Sequence, residues 1–76
     1  MTTWDELPTL ARRSFEEYLQ RFMAANPGSA PGRTRDPVSA EGGAAWLVHF
    51  TDEASGTHYS TMVYRDGSVA EAVQVT

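Results

Sequence analysis

A chain of 76 residues with ten acids, six arginines, no lysine and a net charge of −4 is one domain near the lower size limit for independent folding. Without cysteine it has neither disulfides nor thiolate metal ligands, and its mild acidity argues against a phosphate-neutralising nucleic-acid surface. The opening MTTWDELPTL lacks a basic segment followed by an apolar run, and no window reaches the roughly 18 apolar residues of a membrane span, so a cytoplasmic, membrane-free protein is expected. A core of this size supplies a net stability of about 3–5 kcal/mol. Arginine without lysine, abundant alanine and glycine, and no isoleucine suggest a GC-rich bacterial or phage coding sequence.

The first element in chain order is an amphipathic helix over 8–25. At about 100° per residue Ala11, Phe15, Tyr18, Leu19 and Phe22 fall in one stripe, with Arg12, Arg13, Glu16, Glu17 and Gln20 opposite. Thr3-Trp4-Asp5-Glu6 reads as a capping box, but Pro8 disfavours helical geometry at Leu7, so a short turn at 4–7 precedes the helix proper. Asn26-Pro27-Gly28 ends it.

Residues 26–43 hold three of the four prolines and four of the six glycines, the composition of a loop. Eighteen residues is long for a structureless loop in so small a domain, and a short edge strand around Val38 is one way to order it. Arg33 and Arg35 make its basic pair.

Three strands are expected after it, at 44–51, 57–65 and 68–76. A four-residue loop with Gly56 in the left-handed position pairs Phe50 with Tyr59 and Val48 with Thr61. The second turn allows two registers. A three-residue loop at Arg65-Asp66-Gly67 pairs Val63 with Val69 and sends Val69, Val73 and Val75 to the face of Trp46, Val48 and Phe50; a two-residue loop scatters them. Hydrophobic pattern favours the first. The expected fold is α+β, with the N-terminal helix packed on one face of a three-stranded antiparallel meander. In element order alone this resembles small α+β modules such as PepSY-type and cystatin-like ones.

One helix covers one face only. The other carries Leu47, His49, His58, Met62, Tyr64, Ala70 and Ala72, a mixed apolar surface of the kind that marks an interaction site. Those seven residues are the candidate partner-binding set.

The two histidines are the natural starting point for chemistry. His49 falls opposite Ser60 and His58 opposite Thr51, with the imidazoles diagonal neighbours whose backbones are about 7–8 Å apart. Zinc would need a third ligand, and Asp52 and Glu53 in the turn are the nearest acids, so no metal or cofactor is expected. Ser60 in mid-strand lacks the oxyanion donors and the strand–turn–helix elbow that a nucleophile needs. The expectation is a non-enzymatic protein-binding module, either an inhibitor, an accessory subunit or a homodimer. A compact, motif-free acidic chain also suits a phage-encoded inhibitor of bacterial defence, of the anti-CRISPR type. An enzyme or metal protein using His49 and His58 is the contrasting reading.

Overall fold

The computed structural model describes residues 2–75 and shows one helix packed against an antiparallel sheet, the expected α+β arrangement, with five strands rather than three. Trp4–Glu6 form a single 3-10 turn whose start is closed by the Glu6 carboxylate, which accepts the Thr3 N–H at 3.3 Å. Pro8 caps the helix α1 (Thr9–Ala25). Asn26 ends it, as both its backbone N–H and its side-chain amide donate to the Phe22 carbonyl at 2.9 Å.

The Pro/Gly-rich segment is not a structureless loop. It contributes β1 (Pro31–Arg33) and β2 (Val38–Ala40), which lie end to end along the same edge of β3 (Ala45–Asp52). The cause is visible at Asp52. Its carboxylate accepts the Ala30 N–H at 2.8 Å and the Ala54 N–H at 3.1 Å, tying the segment to the turn that follows β3. From that anchor the backbone runs antiparallel to β3 and satisfies an edge that would otherwise stay open. Glu41, Gly42 and Gly43 then turn the chain into β3 with three successive left-handed residues, at φ 50°, 65° and 91°. Glycine tolerates that geometry, and Gly42 and Gly43 supply two of the three positions.

The hairpin of β3 with β4 (Thr57–Tyr64) has the expected register, with Phe50 opposite Tyr59, Val48 opposite Thr61 and His49 opposite Ser60. Gly56 takes the left-handed position at φ 74°. The turn after β4 is the three-residue one, with Gly67 at φ 94° and Val63 bridged to Val69.

The last strand departs from expectation. Only β5 (Val73–Val75) is regular, and its register pairs Ser60 with Val73, Tyr59 with Gln74 and His58 with Val75. Between Val63–Val69 and Ser60–Val73, two residues of β4 face three of the other strand, so one residue is bulged within Ala70–Ala72. The bulge reverses the faces beyond it. Val73 and Val75, expected on the core side, point to the opposite face, and Ala72, expected on that face, packs against the core.

The core joins Leu7, Ala11, Phe15 and Tyr18 to Trp46, Val48, Phe50 and Val63. Phe50 is its hub, with its ring edge-to-face with Phe15, Tyr18 and Phe22 and stacked on Tyr59 at 5.1 Å. Trp4 packs its ring on Phe15 at 5.5 Å and carries the Arg33 guanidinium at 4.7 Å, so it staples the turn before α1 to the sheet.

Candidate functional site: the uncovered face of the sheet

The face away from α1 is built from cross-strand rows. Val38, Leu47 and Met62 form one row; His49, Ser60 and Val73 a second; Thr51, His58 and Val75 a third; Ala40, Ala45 and Tyr64 a fourth. Side chains in such rows stand about 5 Å apart and make a continuous surface. Ala45 and Thr51 are buried within it, and the remainder are half-buried or exposed. Val73 is 66 % exposed, Val38 54 % and Val75 40 %, which is unusual for valines in strands. No described element lies over them.

Of the seven sequence candidates, Leu47, His49, His58, Met62 and Tyr64 share this face. Ala70 stays beside Met62, to whose carbonyl its N–H donates at 2.9 Å. Ala72 is turned away by the bulge. Sequence reasoning missed Val73 and Val75, because their spacing from Val69 implies one face in an unbroken strand. It also missed Val38 as a member of the face, although a strand there was one way of ordering the segment.

Two polar side chains of the core face hold the bulge. The buried Thr61 hydroxyl donates to the Ala70 carbonyl, and the Tyr18 hydroxyl of α1 accepts the Ala72 N–H at 2.9 Å. A bulge takes backbone groups out of the ladder, and a half-buried group left unpaired is costly. Thr61, a hydroxyl facing the core, and Tyr18, an aromatic with a polar tip, each meet one of them.

His58 is oriented by a hydrogen bond of 2.9 Å between its Nδ1 and the Thr51 hydroxyl. His49 stands on the same face, where partial burial first, and then the nearby Arg35 guanidinium, lower its pKa below the ordinary histidine value. With Thr34, Arg35, Phe50, Tyr59 and Val75 the two histidines line a cavity of about 140 Å³. Among the described residues no group of three histidine or acidic side chains is placed to hold a metal ion. Asp52, the acid nearest in sequence, has both carboxylate oxygens engaged, by Ala30 and Ala54 on one and the Ser55 hydroxyl on the other. Its pKa is lowered chiefly by the Ala30 N–H, against an opposing effect of burial. Among the described residues no helix is long and apolar enough to cross a membrane.

No family model matches the chain, and neither a curated protein nor a solved structure shows significant similarity to it. The functional reading therefore rests on the surface itself.

Proposed function

We propose that the chain is a small, non-enzymatic protein-binding module that docks a partner on the uncovered sheet face. The observation that carries this reading is the exposure of Val38, Val73 and Val75 on one face with half-buried Leu47, Met62 and Tyr64. Contiguous apolar surface is stabilised by burial at roughly 25 cal/mol per Å², and small proteins seldom leave it open without use. Val73 and Val75 reach the face only through a bulge that two core hydroxyls stabilise, so their outward direction is built into the fold rather than left over from it.

A second form of the same reading is self-pairing, favoured by the sequence of β5. Val73-Gln74-Val75 is a palindrome about Gln74, and β5, which it forms, is the last strand of the sheet with no described strand on its outer edge. Two copies related by a two-fold axis at Gln74 would set each Val73 beside Val75 of the other and extend both faces continuously.

Light scattering on a sizing column, at two concentrations far apart, separates the forms. A dimer that Gln74→Pro converts to a monomer supports self-pairing. A monomer at both concentrations, with a partner captured from host lysate and lost on Tyr64→Asp, supports docking of a different protein. A monomer whose capture of partners is unchanged by both Tyr64→Asp and Val73→Asp contradicts the proposal.

A further inference from the structure

The corner of the uncovered face next to β5 differs in chemistry from the valine surface around it. Thr34 and Arg35 reach it from the segment after β1, His49 from β3 and His58 from β4, and together they line the cavity of about 140 Å³. Its other lining residues, Phe50, Tyr59 and Val75, bring no carboxylate. In a chain of ten acids and six arginines, a cavity walled by a guanidinium, two imidazoles and a hydroxyl is a local reversal of charge. Asp52, the acid at the end of β3, spends its oxygens on Ala30, Ala54 and Ser55, and Asp36, the neighbour of Arg35 in sequence, is not among the lining residues.

We propose that this cavity is a binding site for a small tetrahedral oxyanion, a phosphate dianion either free or carried as a phosphomonoester. Size selects the ligand class. The volume equals that of roughly five waters at about 30 Å³ each, enough for one oxyanion and a hydrating water. Pockets that take whole metabolites run from about 300 Å³ upward, so this cavity encloses the phosphate group alone and leaves the rest of a phosphomonoester outside it.

The donors suit the ligand. Arg35 offers a planar fork of N–H groups matched to phosphate oxygens. The hydrogen bond between the Thr51 hydroxyl and His58 Nδ1 engages that nitrogen, and His58 Nε2 is a donor in the tautomer where the threonine donates and in the imidazolium alike. His49 completes the set. Among the described residues, the charged or titratable groups that line the cavity with His49 are Arg35, from the segment after β1, and His58 and Tyr59, from β4; the described residues of β5 bring Val73 and Val75 to this side. Partial burial first, and then the Arg35 charge, disfavour protonation of His49; a bound dianion offsets the second of these, so binding favours the protonated ring and tightens as pH falls. The site stands independently of whether the face docks a protein.

The test is a titration of the whole chain with inorganic phosphate, followed through the ring resonances of His49 and His58 by NMR at constant ionic strength, with chloride as the control anion. Saturable shifts at both histidines with phosphate, and no saturable shift with chloride, are expected. Arg35→Ala should weaken binding about tenfold or more, as loss of a charge-assisted pair does. Arg33→Ala removes the same charge from the opposite side of the sheet, where Arg33 lies over Trp4, and should change affinity less than about twofold. Sulfate, which remains a dianion across the range, should bind more tightly at about pH 5.5 than at about pH 7.5 as His49 charges. Tighter binding of O-phosphoserine than of phosphate assigns the site to phosphomonoesters, and the reverse assigns it to the free ion. Shifts no larger with phosphate than with chloride, or equal weakening by Arg33→Ala and Arg35→Ala, overturn the proposal.

Discussion

The Tyr18 hydroxyl accepts the Ala72 N–H at 2.9 Å, joining the middle of the helix to a bulge 54 residues later in the chain. Together with the Thr61–Ala70 hydrogen bond, that contact holds the bulge that sets which way Val73 and Val75 point. With the bulge, both valines lie on the face away from the helix; without it, an unbroken strand from Val69 would bring them to the core side and put Gln74 outside.

Tyr18→Phe keeps the ring in the core and removes only the acceptor. The expected cost is about 1–2 kcal/mol, the penalty of an unpaired, partly buried N–H. Urea unfolding should show it, and amide exchange at Ala72 should accelerate more than at Val63 or Phe50. Uniform acceleration across the chain would mean that Tyr18 acts through general packing.

Thr61→Val is nearly isosteric and places a methyl where the hydroxyl met the Ala70 carbonyl. A loss of about 1–2 kcal/mol is expected despite the added apolar surface, because the carbonyl loses its donor. Combined with Tyr18→Phe, the change removes both supports of the bulge. Cross-peaks between Val73 and Tyr59 should then appear in a NOESY spectrum as the strand slips by one residue.

Much of this was legible in the sequence. The stripe of α1 and the alternation of Trp46, Val48 and Phe50 marked the helix and the hairpin, because each period is carried within one element. Gly56 and Gly67 placed the two turns, since each needs a positive φ that glycine adopts freely. The bulge was illegible because its determinant is a hydroxyl on another element, and Val69, Val73 and Val75 mimic a regular strand. β1 was hidden by Pro31 and Gly32, poor strand formers, which hold a strand only because Asp52 captures the preceding Ala30 N–H and β3 offers an edge. Of the candidate surface, Leu47, Met62 and Tyr64 followed from alternation, whereas Arg35 joined His49 through segment geometry that no local pattern encodes.

Phe50 contacts four other aromatic rings, and Phe50→Ala should cost about 3–5 kcal/mol, comparable with the whole net stability of a domain this small. Loss of a cooperative melting transition is the expected result. Phe50→Leu should keep a transition at a lower midpoint.

The pH dependence has two limbs. Asp52 has a folded pKa below its unfolded value, chiefly through the Ala30 N–H, so its contribution is present above the unfolded carboxylate pKa and is lost as pH falls through the folded one. Asp52→Asn should flatten that acid limb in urea titrations and lower the melting midpoint at neutral pH. His49 has a folded pKa below the ordinary 6.5, through burial and then Arg35, so protons bind preferentially to the unfolded chain and stability falls as pH drops from about 6.5 through the folded value. His49→Gln should remove this second, shallower decline.

If the valine-bearing face is the docking surface, site-specific photo-crosslinking from it captures whatever docks there. Benzoylphenylalanine would be placed at Val73, on that face, and at Glu16, exposed on the far side of α1, in cells that produce the protein. A discrete higher-mass adduct is expected from position 73, either with one partner or with a second copy, and none from position 16. Adducts of equal yield at both positions, or none at position 73, would contradict it.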